Sequence, residues 1–145
     1  MNGGTEPSGY YNNYNVEAST ISISEGGNSC GYVQFNTSPF WSGGHCYSIQ
    51  NIADKVDNMY LYHYLKSNED AIMKLRIGSG LPNIQKKDLS KVGIIVPSLI
   101  IVPKIEWQIK ISTFLSSLER KAEIEERIQN VMQKQKLYLL QQMFI

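Results

Sequence analysis

Between Pro103 and the last residue, Ile145, the sequence contains neither proline nor glycine. Nothing in that stretch breaks a helix, and apolar side chains recur through it at spacings of three and four. Ile111, Phe114 and Leu118 form one run, Ile124, Ile128 and Val131 a second, and Tyr138 follows. About 40 residues at 1.5 Å each make a rod of roughly 60 Å, longer than the domain it leaves. The phase slips between Leu118 and Ile124, where Arg120, Lys121 and Glu123 intervene. A local change of winding or of partner is therefore predicted there. Alone in water such a helix would leave its apolar stripe uncovered, so it is predicted to pair with another long helix as a coiled coil. Folding back over its own domain is the competing way to cover the stripe.

The rest of the chain must supply the globular part. At 145 residues and 42% hydrophobic, the sequence fits one ordinary domain or one domain with an appendage. Its longest apolar run, residues 94–102, is interrupted by Pro97 and falls far short of the roughly 20 residues that span a bilayer. Residues 1–9 show no basic stretch followed by an apolar core, so no signal peptide is expected. The two cysteines, Cys30 and Cys46, are too few for a disulfide framework. Together these features predict a soluble, cytoplasmic protein with free thiols.

The net charge of +1 conceals a gradient. Residues 1–65 hold one cation, Lys55, against five acids, residues 66–91 hold six against three, and residues 92–145 hold seven against five. Only the middle window, with Lys74, Arg76, Lys86 and Lys87, is a credible footprint for a polyanion, although a locally basic face is most often plain solvated surface.

Eight of the eleven glycines precede Cys46, among Asn, Ser, Thr and Tyr, which predicts short strands joined by turns. Residues 18–24 alternate Thr20, Ser22 and Ser24 with Ile21 and Ile23, the period of a half-buried strand, and residues 25–28 supply a turn. Residues 31–35 can pair back, and residues 44–49 make a third strand candidate. Asp57 is placed to cap a helix carrying Leu61, Tyr64 and Leu65, and Asn68 to cap a second through Ile72 and Leu75. After a loop at residues 78–83, residues 92–96 form an apolar run of strand length stopped by Pro97, with residues 100–102 extending it to Pro103. No internal repeat is present.

Catalytic and metal chemistry find little support. Cys30, His45, Cys46 and His63 are the only soft ligands, and His45 and Cys46, adjacent on a strand, would point to opposite faces. A Cys46 and His63 pair lacks an orienting third group. Residues 26–31 have the glycine spacing of a phosphate loop, but Tyr32 and Val33 stand where Lys and Ser or Thr are needed. Gly78, Ser79 and Gly80 lack the third glycine of a dinucleotide fingerprint, and no methyl-donor motif is visible.

What remains is a set of loops suited to reading polar edges. Tyr10, Tyr11, Asn12 and Asn13 crowd one, Asn28 and Ser29 another, and Trp41 and Ser42 a third, while Lys74, Arg76 and Ser79 flank a fourth. Asn pairs bidentately with adenine, Arg with guanine, Ser with several bases, and Lys attracts phosphate. The same residues have plainer uses, since Asn, Ser and Gly serve turns, and Tyr10, Tyr14 and Trp41 suit a core equally well.

A family resemblance enters here. Asn2-Gly3-Gly4-Thr5-Glu6-Pro7-Ser8-Gly9-Tyr10, then Tyr14-Asn15, Ile21-Ser22-Ile23-Ser24-Glu25-Gly26, Phe40-Trp41 and His45-Cys46-Tyr47-Ser48-Ile49 occur in order. Tyr62 to Leu65, Gly78-Ser79-Gly80-Leu81-Pro82-Asn83-Ile84 with Asp88-Leu89, and Val96-Pro97 follow. Next come Glu106-Trp107-Gln108, Phe114-Leu115 and the tail Lys136 with Leu139-Leu140-Gln141-Gln142-Met143-Phe144. The ordered set resembles the target-recognition domain and spacer helix of the DNA specificity subunit of type I restriction and modification enzymes. Against that family, Pro97 and Pro103 replace a single proline before the helix, Trp107 replaces a glutamate, and the recognition domain is expected to lack its N-terminal part. The chain resembles half a subunit, with one recognition domain and one helix.

The resemblance implies an α+β chain: a small β-rich recognition domain with short helices over residues 1–103, then a long spacer helix forming a coiled coil over residues 104–145. It implies a non-catalytic subunit that reads a half-site on double-stranded DNA and positions a methyltransferase subunit, with room for a restriction subunit. No cofactor is expected in this chain; S-adenosylmethionine, ATP and magnesium would belong to partners. Candidate base-reading residues are Tyr11, Asn12, Asn13, Asn28, Trp41, Arg76 and Ser79, with Lys74, Lys86 and Lys87 on phosphates. Pairing of two copies, or of this chain with another specificity subunit, is assigned to Ile111, Phe114, Leu118, Ile124, Ile128, Val131 and Tyr138. The competing reading is a shortened assembly or regulatory protein that no longer reads DNA and docks partners through its helix.

Overall fold

The computed structural model describes residues 1–96 and 104–143, which fall into two compact units, Met1–Ile109 and Lys110–Ile145. The first unit is built on a three-stranded antiparallel sheet of β1 (Thr20–Ser24), β2 (Val33–Asn36) and β3 (Cys46–Ile49), in the order β2-β1-β3. The register sets Ser22 opposite Gln34 on one side and Ser48 on the other. Each strand starts later than the sequence pattern predicts. For β1 the reason is local: Ser19 has φ of +56°, a left-handed conformation that cannot continue a strand backwards. His45, expected inside the third strand, sits instead in the turn ahead of β3.

All five residues of β1 are buried, where the alternation predicts a half-buried strand. The chain itself covers the hydroxyl face. The Ser24 hydroxyl donates to the Gly3 carbonyl, and the Asn36 amide donates to the Ser22 hydroxyl at 2.9 Å. Ile21 and Ile23 face the other way and form the core with Val33, Cys30, Leu61, Leu65, Ile72 and Ile84. Full burial of such side chains is worth about 1.5–3 kcal/mol each. Burial pushes the Cys30 thiol pKa upward, and its Sγ donates to the Glu25 carbonyl.

Three short helices complete the layer, α1 (Asn58–Ser67), α2 (Glu69–Met73) and the single turn α3 (Lys86–Leu89). Asp57 caps α1 as its position predicts, its carboxylate accepting from the Tyr60 amide at 2.7 Å. Asn68 does not cap α2 through its side chain, because its amide turns back to donate to the Tyr64 carbonyl at the end of α1. Lys66 and Glu69 fasten edge strand β2: Glu69 accepts from the Val33 amide at 2.8 Å, and Lys66 donates to the Val33 carbonyl and lies over the Tyr32 ring.

The strand predicted over residues 92–96 does not form. Val92 packs against the core, Ile95 is exposed, and the segment is tied by tyrosine hydroxyls, with Tyr64 donating to the Gly93 carbonyl and Tyr60 to that of Ile95. Apolar runs of this length specify contact with a core, not a place in a sheet. The predicted extension at residues 100–102 and the two prolines, Pro97 and Pro103, lie outside the described residues.

The long helix α4 (Lys104–Met143) is helical throughout, including residues 119–123, so the phase slip does not interrupt the helix. Its start is anchored in the first unit by Gln108, which is fully buried: its side chain accepts from the Asp57 amide at 2.7 Å and donates to the Lys55 carbonyl at 2.9 Å. Gln108→Leu keeps the size and strands both groups, so a loss of about 2–3 kcal/mol is expected. Urea unfolding checks this, and a loss below about 1 kcal/mol would contradict it. No helix among the described residues is long and apolar enough to cross a membrane.

Candidate nucleic-acid interface

Four connecting segments of the first unit are bonded to one another in succession. Residues 1–16 join the segment between β2 and β3: Phe40 and Val16 exchange main-chain hydrogen bonds, and Asn15 and Ser42 pair through the Asn15 amide. The Ser29 hydroxyl donates to the Gly3 carbonyl, tying the same N-terminal segment to the loop between β1 and β2. That loop in turn holds residues 77–84: the Gly27 amide donates to the Pro82 carbonyl and the Ile84 amide to that of Glu25, both at 2.9 Å. Ile77 and Asn83 close the last loop through a pair of hydrogen bonds. Segments distant in sequence thus share one continuous, fastened surface.

The candidate residues divide along it. Tyr11, Asn13 and Trp41 border one cavity of about 370 Å³, with the Tyr11 and Trp41 rings edge to face at 5.6 Å. Asn12 is exposed in the same turn but borders neither cavity. Asn28 lines a second concavity of about 650 Å³, together with Gly3, His45 and Leu81. Lys74, Arg76 and Ser79 are exposed on the approach to the Gly78–Gly80 turn, and Lys86 and Lys87 form the start of α3 just beyond it. The aromatic and amide candidates are therefore not gathered with the cations into one pocket. They lie on different loops of the joined surface.

The core alternative for the aromatics is overturned. Tyr10 is 99% exposed, Trp41 is 46% exposed, and Tyr14 is half-exposed, because the N-terminal segment covers β1 through backbone groups rather than through these rings. The cationic window is also smaller than its charge count. Lys66 is held by Glu69 at 2.6 Å and Lys91 by Asp88 at 3.0 Å. Lys74, Arg76, Lys86 and Lys87 make no ion pair among the described residues.

Tyr47 braces the surface from below, its hydroxyl within 3.0 Å of the Glu25 carboxylate and 2.9 Å of the Ile84 carbonyl. Burial, then the hydrogen bond to Glu25 and the charge of that carboxylate, raise its pKa. The soft ligands do not converge: Cys30 is in the core, His63 is buried on α1, and His45 is exposed with Nδ1 3.9 Å from Glu25. No group of three or more His, Cys, Asp or Glu suited to a metal occurs among the described residues.

Two features escaped the sequence reading. Leu81 is an apolar tip 88% exposed between the Gly78–Gly80 turn and Pro82, and Gln34 lines the Tyr11 and Trp41 cavity from β2. The alternation of Val33 and Phe35 with Gln34 and Asn36 carried the signal for Gln34, and only the pairing of β2 with β1 showed which loop it meets.

On α4, the predicted seam residues Phe114, Leu118, Ile124, Ile128, Val131 and Tyr138 are all exposed, and Ile111 is half-buried. The spacing fits a coiled-coil seam.

The match with known proteins is extensive. The family model for the type I restriction modification DNA specificity domain covers residues 2–134. A protein named as a type I specificity subunit in Mycoplasma pneumoniae is 35% identical over 95 residues, 65% of this chain and 25% of that protein. One of the same description in Mycoplasma genitalium is 35% identical over 96 residues, 65% of this chain and 24% of its own. The crystal structure of the type I restriction-modification S subunit from M. genitalium aligns with a TM-score of 0.71 at 30% identity, over 85% of this chain and 32% of that one. The chain spans about a quarter of the length of the two sequence relatives. With sequence and fold in agreement from the joined loops through most of α4, the chain belongs to the type I restriction modification DNA specificity domain family.

Proposed function

We propose that this chain is the non-catalytic DNA-reading half of a cytoplasmic type I specificity module. The observation that carries this reading is the fastened surface of four loops with its exposed aromatic and amide groups, flanked in the chain by four exposed cations at the end of α2 and the start of α3 that make no ion pair among the described residues. Such a surface suits a duplex: cations neutralise phosphates, and loop side chains reach base edges. Tyr11, Asn12, Asn13, Asn28, Trp41, Arg76 and Ser79 read a half-site, while Lys74, Lys86 and Lys87 hold the backbone. The α4 seam pairs two copies, or this chain with another specificity subunit, and fixes the separation of two reading heads. A methyltransferase subunit, and a restriction subunit where one is present, dock on the assembly. S-adenosylmethionine, ATP and magnesium belong to those partners, so the methyl transfer takes place outside this chain.

Titration against a randomised duplex pool at two salt concentrations, with and without a methyltransferase partner, tests the reading. A DNA reader loses affinity steeply as salt rises. A docking protein that has lost DNA reading binds the partner and ignores the duplex. Two substitutions grade the result. Arg76→Ala is expected to cost about 1–3 kcal/mol at one base pair and to relax preference there. Lys87→Ala is expected to weaken every sequence alike and lower the salt slope by about 1. Wild-type behaviour in both variants would place the DNA on another face.

A further inference from the structure

The inference concerns the cavity beside Tyr11 and Trp41, and it rests on the DNA-reading function proposed above. Its volume of about 370 Å³ lies within the roughly 300–1,000 Å³ of small-ligand sites. Tyr10, Tyr11 and Trp41 expose aromatic area to water at its edge. The perpendicular packing of the Tyr11 and Trp41 rings spends an edge of one and a face of the other, leaving ring faces open to stack on.

The wall contributed by β2 adds a polar demand. On the hydroxyl face of the sheet, Asn36 is satisfied by the Thr20 carbonyl and the Ser22 hydroxyl. Its neighbour on that face, Gln34, is not: its side-chain oxygen is buried and has no hydrogen-bond partner among the described residues. A buried acceptor left unpaired costs stability, and a ligand that brings an N–H removes that cost. The lining residues carry no charged side chain, and the one charged group at the rim, the Met1 ammonium, is occupied by the Trp41 carbonyl at 2.7 Å, so a cation finds no counter-charge there. The ligand called for is flat, not cationic, and able to donate an N–H.

We infer that this cavity receives one unstacked nucleobase, held by stacking on the Tyr11 and Trp41 rings, and that the Gln34 side chain turns from its closed position so that its oxygen accepts an N–H from that base. A base inside an intact duplex has both faces covered by its neighbours, so occupancy requires the base to leave the stack. The cavity then distinguishes a strand that yields a base at that position from one that does not.

The test uses the full chain and labelled octamers followed by fluorescence anisotropy: (dA)8, the same strand with every N6 amine dimethylated, and an abasic octamer of equal charge. Base stacking on aromatics is sequence-tolerant, so the abasic strand is expected to bind at least tenfold more weakly than (dA)8. The dimethylated strand, without an N–H to donate, is expected to bind about fivefold more weakly. Gln34→Met should remove that difference, Gln34→Glu, which keeps an acceptor, should preserve it, and Trp41→Ala should weaken (dA)8 about tenfold. Circular dichroism melts establish that each variant is folded. Equal binding of (dA)8 and the abasic strand, or a preference that survives Gln34→Met, overturns the inference. A parallel titration with the randomised duplex separates the two failures. If duplex binding persists with its salt dependence, the cavity assignment alone falls; if duplex and octamers are both ignored, the DNA-reading function falls with it.

Discussion

Gly31→Ala is expected to destabilise the first unit by on the order of 3 kcal/mol. Gly31 is buried with φ of +94°, where a side chain is strained whatever space surrounds it. Space is also lacking, since an added Cβ would stand 2.8 Å from Met73 Cγ and 2.9 Å from Met73 Cα. Part of that contact is backbone, so α2 as a whole must move. The Gly31 amide also donates to the Ser24 carbonyl at 2.8 Å, which prevents the loop from yielding instead. Gly27 provides the control: its φ is +76° but nothing lies within 4 Å of an added Cβ, so Gly27→Ala should cost only the conformational strain, about 1 kcal/mol. Urea melts of the two variants separate contact from conformation. A Gly31→Ala midpoint equal to that of Gly27→Ala would show that α2 does not seat against this backbone.

Ile124→Glu combined with Ile128→Glu is expected to weaken self-association by at least about a thousandfold. Both residues sit on the exposed stripe of α4 that is proposed to pair copies of the chain. In a two-chain seam the double substitution removes four buried apolar side chains, each worth about 1.5–3 kcal/mol, and 1.4 kcal/mol is a factor of ten. Burying unpaired carboxylates makes the loss larger still. Light scattering at micromolar concentration should find the unsubstituted chain paired and the variant single, with duplex binding by each reading head retained. An unsubstituted chain that is already monomeric there would remove the proposed pairing. Lys121→Ala, which deletes one end of an exposed ion pair with Glu125, should leave association unchanged.

Parts of the fold could be read from local residue chemistry because they depend on local residue chemistry. A carboxylate at position 57 ahead of an apolar repeat caps α1 whatever lies elsewhere, and isoleucines at 21 and 23 face a core in any register of the sheet. Residues 92–96 show the limit. Their apolar character is satisfied by contact with the core, and two tyrosine hydroxyls take up backbone carbonyls that a sheet would have used. Asn68 shows the same limit at smaller scale, since the end of α1 offers its amide a nearer acceptor than the start of α2 offers its oxygen a donor.

The site divides along the same line. Composition picked out the cations and the polar loops, because charge and turn chemistry are properties of single residues. Which cations lack an ion pair among the described residues depended on neighbours: Lys66 and Lys91 meet carboxylates three residues away, whereas Lys74, Arg76, Lys86 and Lys87 do not.

By itself the sequence determined that a proline-free and glycine-free segment becomes one long helix with an apolar stripe, and that the chain ahead of it builds short strands and capped helices. Both follow from backbone freedom and side-chain period, which are written residue by residue. Tertiary structure alone decided that four distant loops bond into one surface, that Tyr10 and Trp41 face water, and that Gln34 stands beside Tyr11. Those outcomes are set by which backbone groups find partners across the fold, and no local pattern encodes a partner 30 or 50 residues away.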